Sequence, residues 1–232
     1  MIPIFDPRYM LFMFPAMMLM LAVQFYVQSA YRKWSKVPAR SRMTGGQAAQ
    51  RLIQRSSLYD VRIEGIAGNL TDHYDPRSKV LRLSQGVYQS SSVAALAIAA
   101  HELGHAMQDK EDYLPLRFRA ALVPAVNIGS YLGWILIIIG LLLGFTQLAV
   151  LGIIIFSAGA LFALATLPVE LNASARARQL LLESGIISGD DEMRGVNNVL
   201  NAAALTYVAA LITAVLQLLY YVTLVFGGRR ND

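Results

Sequence analysis

Four stretches of this chain are apolar for the length of a bilayer crossing, and the polar residues gather in the two segments left between them. The first apolar run extends from about Tyr9 to Val27, has Pro15 inside it, and is followed at once by Arg32, Lys33, Lys36, Arg40 and Arg42. A cleaved signal peptide would carry its charges ahead of a shorter apolar core and end in small residues. Residues 1–28 are therefore read as an uncleaved transmembrane anchor with its short N-terminus outside. Two further runs, near Ala121–Leu143 and Gln147–Leu167, are separated only by Gly144-Phe145-Thr146. A connector that short forces an antiparallel helical pair, residues 121–167, in which Pro124, Asn127 and Ser130 make the first member less apolar. The last run, Ala203–Phe226, defines a C-terminal span and tail, residues 203–232. Each run is close to the roughly twenty residues that a transmembrane helix needs.

Between the first and second spans, residues 29–120 read as a folded polar part. Thr44-Gly45-Gly46-Gln47 opens an amphipathic helix with Ala48, Leu52 and Ile53 at helical spacing. Val61–Glu64 alternates like a strand, Tyr74–Lys79 carries turn residues, and Val80–Leu83 reads as a second strand, which predicts a small hairpin or sheet. Ser90-Ser91-Ser92 caps a helix running from about Val93 to Lys110. Residues 168–202 form the second polar segment. There a helix starts at Glu170 after Pro168 and stops near Ser184 at Gly185, and Gly189-Asp190-Asp191 begins another that enters the last span. The expected fold class is a mainly α membrane protein: four transmembrane helices with a folded polar domain containing a small hairpin or sheet.

Composition agrees with this layout. Hydrophobic residues make up 56%, charged residues 15%, and mean hydropathy is +0.47, whereas soluble domains carry roughly 25% charged residues. The net charge of +5 invites a nucleic-acid reading, but most of it flanks an apolar run, so orientation in a membrane explains it and no nucleic-acid partner is expected. Of the 20 Lys and Arg, fourteen fall between Tyr31 and Arg119, and Arg176, Arg178 and Arg194 lie in the second polar segment. Only Arg8, Arg229 and Arg230 fall on the other side. Charges within a long loop count for little, but the five just after the first span are reliable, and they place both polar segments in the cytoplasm. With no cysteine in the chain, thiolate ligands, disulfides and a cysteine nucleophile are excluded. Transport is disfavoured too, because the spans hold no Asp, Glu, Lys, Arg or His of the kind that marks an ion pathway.

The chemistry is concentrated in His101-Glu102-Leu103-Gly104-His105. Residues four apart share a helix face, so both imidazoles can reach one metal ion, and Glu102 beside them can take a proton from a metal-bound water. Zinc, as Zn2+, suits imidazole ligands and keeps a coordination position open for water. Such a motif also occurs by chance in helices. Here it uses two of the three histidines in the chain and follows the apolar stretch Val93–Ala100, where unpartnered imidazoles and a carboxylate would be costly to bury. A metzincin would carry a further ligand His downstream, but Gln108 and Glu111 stand there. The third ligand is therefore His73 or Glu170. Glu170 is preferred, since it opens a helix in a polar segment on the same membrane side, among small residues that allow close approach. The alternative for Glu170 is a carboxylate favoured by a helix N-terminus.

Several segments give the chain a wider resemblance: Leu70–Pro76 (LTDHYDP), Leu83-Ser84, Ala99–Gln108 (AAHELGHAMQ), Leu167–Ser174 (LPVELNAS) and Val199–Tyr207 (VLNAAALTY). Over nearly its whole length the sequence resembles the YugP-like neutral zinc metallopeptidases of bacterial membranes. The resemblance implies a zincin-like cytoplasmic domain, and in it a gluzincin-like site with His101, His105 and Glu170 on zinc and Glu102 as catalytic base. Membrane proteases of the CAAX-processing type often carry an Asp four residues after the ligand Glu. That position is Ser174 here, so support for a ligand His is expected elsewhere, with Asn172 the candidate. The segment Asp72–Pro76 looks like the strand that precedes the active helix in many zinc peptidases and pairs with substrate backbone. His73 is thus a candidate for holding substrate or stabilising the oxyanion, against a plain turn residue. Tyr207 is a further oxyanion candidate, against an interfacial anchor.

The expected function is a membrane-embedded zinc metalloendopeptidase, hydrolysing peptide bonds with a zinc-activated water at the cytoplasmic face of a bacterial inner membrane. Its expected partners are the lipid bilayer and a peptide or membrane-protein substrate. One alternative is a non-catalytic zinc-binding scaffold or chaperone partner, which has no need of Glu102. An intramembrane protease of the site-2 type would need a ligand Asp-Gly in an apolar segment. Asp190 and Asp191 instead follow Gly189 among polar residues.

Overall fold

The computed structural model describes residues 7–227, so Arg229 and Arg230 lie outside the described residues. The chain is mainly helical, with one small sheet and four helices long and apolar enough to cross a membrane: Pro7–Trp34, Leu114–Leu142, Thr146–Glu183 and Asp190–Phe226. It divides into two compact units, one of residues 7–23, 117–168 and 206–227, the other of residues 24–116 and 169–205.

In the first unit the apolar helices pack through glycine. A Cβ on Gly133 would meet the carbonyl oxygen of Gly152 at 2.8 Å, and one on Gly140 would meet the Ala149 nitrogen at 2.5 Å. Helices α5 (Leu114–Leu142) and α6 (Thr146–Phe156) therefore run backbone against backbone, the close approach that small residues allow where apolar burial gives no drive. Aromatic rings fill the remainder, with Tyr9 edge-on to Tyr220 and Phe156 edge-on to Tyr221.

The second unit has its own apolar core, centred on α4 (Val93–Lys110). Ser92 caps α4 by accepting the Ala95 N–H, and Ala94, Ala97, Ala99 and Ala100 are fully buried, so neighbouring elements approach closely along that face. Helix α2 (Gly45–Arg55) starts with a reciprocal capping box: the Thr44 hydroxyl accepts the Gln47 N–H, and the Gln47 side chain accepts the Thr44 N–H. Two orphan donors are satisfied at once. Leu52 and Ile53 then enter the core.

The sheet has three strands, β1 (Arg62–Ile66), β2 (His73–Asp75) and β3 (Val80–Ser84), in the order β1-β3-β2. The strands read from Val61–Glu64 and Val80–Leu83 pair in parallel, so they are not the two arms of a hairpin. The hairpin is β2–β3, antiparallel, with Tyr74 opposite Leu81. Its turn is held by Asp75, which accepts the Arg77 N–H at 3.0 Å and the Ser78 hydroxyl at 2.7 Å. A four-residue helix, α3 (Gln85–Tyr88), leads from the sheet toward α4.

One expectation fails in an informative way. Helix α7 (Ala158–Glu183) does not begin at Glu170 but continues through Pro168. A proline inside an apolar helix is tolerated where neighbours satisfy the freed carbonyl. Glu170 therefore sits in mid-helix, and a helix N-terminus cannot be the reason for a carboxylate there. Helix α8 is a single helix, Asp190–Phe226, with Asp190, Asp191 and Glu192 in its first turn, where carboxylates are favoured by the helix dipole. Asp191 also pairs with Arg40 at 2.8 Å.

Candidate functional site

Helix α4 presents His101 and His105 one turn apart, their rings 4.9 Å between centroids and nearly perpendicular. Opposite them α7 brings Glu170, only 2% exposed. Its Oε2 lies 3.3 Å from His101 Nε2 and 3.5 Å from His105 Nε2. Among the described residues, this trio is the group of His and acidic side chains whose donor atoms converge, all within 4.8 Å. His73 is not part of it. Zinc bonded tetrahedrally to nitrogen and oxygen at its usual lengths separates its ligand atoms by roughly 3.3–3.4 Å. The two spacings between the carboxylate oxygen and the imidazole nitrogens match that separation, and the chemistry of the donor set fits the ion.

The approach of α7 depends on Gly104, in the middle of the motif. A Cβ there would lie 2.5 Å from the Ala173 carbonyl oxygen and 3.0 Å from its Cα. No residue but glycine lets the two helices that carry the trio come this close.

Each imidazole is also held from behind. His101 Nδ1 is 3.2 Å from the Ser174 hydroxyl, so the position expected to be mute contributes directly. His105 Nδ1 is 3.0 Å from Gln108 Oε1. Gln108 is fully buried, and its amide NH2 donates to the Val169 carbonyl at 2.8 Å and to Asn172 Oδ1 at 3.0 Å. Asn172 Oδ1 also accepts from Arg176 Nε at 2.7 Å, and the Arg176 guanidinium is clamped by both oxygens of Glu111. Arginine only donates, so it fixes Asn172 oxygen-inward, which turns the Gln108 nitrogen toward Asn172 and its oxygen toward His105. His105 is thereby held with a proton on Nδ1, so that its neutral form has the lone pair at Nε2, the arrangement a metal-binding His requires. Asn172 thus supports His105 through Gln108 rather than by contact.

Glu102 projects from α4 beside the histidines, and its Oε2 accepts the Tyr74 N–H at 3.2 Å. Burial pushes its carboxyl above the usual range; His101 and His105 pull it back, while Glu170 and Asp72 add to the rise. Burial lowers His105, but the hydrogen bond to Glu170 and the charge of Glu102 outweigh it, so the imidazole is raised. Tyr74 grips α4 twice, since its hydroxyl also donates to Asp109 Oδ2 at 2.9 Å. Asp109 is buried and pairs with Lys79 at 2.7 Å. Burial first, and then that bond to Asp109, raise the Tyr74 hydroxyl well above its ordinary value. At the other end of β2, Asp72 accepts the Ser84 N–H at 2.7 Å. The edge strand is therefore tied to the motif helix through Tyr74 and to the end of β3 through Asp72.

The chain matches, over residues 9–226, the family model described as "Putative neutral zinc metallopeptidase". It belongs to this family. A curated relative, "Putative membrane protease YugP" of Bacillus subtilis (strain 168), is 47% identical over 209 residues, covering 90% of this chain and 92% of the relative. No solved structure matches significantly.

Within this metallopeptidase-family chain, the remaining sequence candidates fall as follows. His73 lies in β2, exposed, with Nδ1 2.8 Å from the Thr71 carbonyl. Tyr207 lies on α8, half-buried, in the unit that does not hold the trio. The residues that sequence reasoning passed over are Gln108, Ser174, Tyr74 and Asp109. A helical repeat could have flagged two of them: Gln108 and Asp109 follow His105 by three and four residues, on the ligand face, where an apolar residue would have been the default.

Proposed function

We propose that this chain is a membrane-embedded zinc metalloendopeptidase whose zincin-like part, residues 29–120 with 168–202, faces the cytoplasm. The observation that carries the reading is the convergence of His101 Nε2 and His105 Nε2 on Glu170 Oε2, at 3.3 and 3.5 Å, with Glu102 adjacent. The relative named as a membrane protease supports it. His101, His105 and Glu170 would hold the ion, which when bound lowers the pKa of water and polarises a carbonyl. Glu102 takes a proton from the attacking water and returns it to the leaving amine, and a carboxyl raised by burial is suited to both transfers. Ser174 and Gln108 keep the two imidazoles aimed. The free edge of β2 lies beside Glu102, which supports a substrate held in extended form along that strand. His73 on the same strand is the residue placed to meet it. Tyr207, just inside the last span, is the further candidate for the oxyanion role, against an interfacial anchor. The cluster of basic residues after the first span supports the cytoplasmic side.

Glu102→Gln separates this from a zinc-binding scaffold, because the amide oxygen can still accept the Tyr74 N–H. Purified wild type and variant are compared for bound zinc and for cleavage of unfolded protein. The expectation is about one zinc in each, with cleavage reduced on the order of 10²–10⁴-fold in the variant. Equal zinc and no cleavage by either protein would favour the scaffold.

A further inference from the structure

Away from the trio, the second unit carries an open cavity of about 580 Å³ lined by Lys33, Trp34, Arg194, Asn197, Asn198 and Asn201. No Asp or Glu is among these lining residues. Two of the six are exposed cations, and the three asparagines do not face the cavity at random. Arg178 stands behind two of them, donating from Nε to Asn197 Oδ1 at 2.7 Å and from Nη2 to Asn201 Oδ1 at 2.7 Å. Because a guanidinium can only donate, both amides must turn their oxygens to it. Their NH2 groups are left with no acceptor among the described residues. The third asparagine, Asn198, fixes the wall: its Oδ1 accepts the Trp34 indole N–H at 2.9 Å and its NH2 donates to the Tyr26 hydroxyl at 2.7 Å. The Lys33 ammonium lies 5.1 Å from the centre of the Trp34 ring. The cavity thus offers two cations and two oriented amide donors, and its lining has no carboxylate to compete. That set matches a phosphate group, which is anionic and accepts hydrogen bonds only.

We propose that this cavity binds the phosphate of an anionic glycerophospholipid headgroup. The sequence positions of its walls argue for lipid over free phosphate. Lys33 and Trp34 close the helix that holds the first apolar run, and Asn201 stands two residues before the last one on α8. A Trp beside a Lys at the end of a span is the usual signature of the headgroup layer, where a basic pocket meets lipid phosphates. The helices carrying the walls are therefore tied at that layer by a bound lipid.

The test uses the full-length chain in a neutral detergent, titrated with phosphatidylglycerol, with phosphatidylcholine and inorganic phosphate in parallel. Wild type should bind phosphatidylglycerol in preference to phosphatidylcholine. The double variant Asn197→Asp/Asn201→Asp keeps an oxygen for Arg178 on each residue but replaces the outward NH2 with a carboxylate oxygen. It should fold as wild type by circular dichroism and bind phosphatidylglycerol at least about tenfold more weakly. Lys33→Gln/Arg194→Gln should lose a similar amount. Arg32→Gln/Lys36→Gln removes the same charge from exposed positions outside the lining, and it should stay within about twofold, as screened surface charges do. Equal loss in that control, or wild-type binding of both lipids alike, would overturn the site. Inorganic phosphate competing at the same concentration as the lipid would overturn the lipid assignment.

Discussion

Replacing Gly104 by Ala adds one methyl group at the point where α4 and α7 are closest. On helix propensity alone the change should stabilise α4 by about 1 kcal/mol. The packing opposes it. The new Cβ would stand 2.5 Å from the Ala173 carbonyl oxygen, 3.0 Å from its Cα and 3.1 Å from its carbonyl carbon, where C···O contacts normally begin at about 3.3 Å. The obstructing atoms are backbone, so no side chain can swing aside, and α7 must retreat by about 0.8 Å at Ala173. Glu170 is one turn away on the same helix and moves with it. Its distances to the two imidazoles, 3.3 and 3.5 Å, would then exceed the tolerance of about 0.2 Å per bond that a zinc site accepts. Overpacking costs about 1–3 kcal/mol, which cancels or exceeds the propensity gain, and zinc affinity should fall by at least about 10–100-fold. Competition with a chromogenic chelator gives the affinity, and circular dichroism checks that the helices persist. A folded Gly104→Ala protein with wild-type zinc affinity would refute the argument that this glycine sets the ligand spacing.

Two further predictions concern groups around the trio. Gln108→Met keeps the buried volume but removes the acceptor for the His105 Nδ1–H. Zinc affinity should drop about 10–100-fold with the fold retained, and an unchanged affinity would mean that Gln108 only fills space. Asp75 is held below its ordinary value of 3.8 by the Ser78 hydroxyl, the Arg77 N–H and Arg82. A carboxyl depressed in the folded state stabilises above its unfolded pKa, and that gain is lost as pH falls through the folded value. Wild type should therefore be more stable to denaturant than Asp75→Asn at neutral pH, with the gap closing as pH falls below about 3.8. A gap independent of pH would remove Asp75 as the turn's anchor.

Much of the architecture was legible because its signals are local. Ser92 and Lys110 bound α4 as the capping residue and apolar pattern required, and Thr44 with Gln47 announced α2. The four spans followed from apolar length alone. What was not legible depends on partners distant in sequence. Alternation identifies strands but not their order, so the parallel pairing of β1 with β3 could not be read from Val61–Glu64 and Val80–Leu83. Pro168 reads as a helix boundary in isolation but is carried inside α7. Gln108 and Ser174 become meaningful only when α7 lies against α4, since their partners are sixty or more residues away.

The position of Tyr74 bears on how the sheet avoids pairing with copies of itself as well as on what it binds. Successive N–H groups of an antiparallel edge strand alternate between the neighbouring strand and the outside. Because the Tyr74 N–H is taken by Glu102, the outward set of β2 is residues 72, 74 and 76, and position 76 is a proline with no N–H. An extended peptide therefore gains the central donor of this edge only when Glu102 releases it, and the next donor is missing. A short strand ended by proline is how sheets avoid zipping to their own copies. In this chain the side chain of Glu102 completes that protection against self-association.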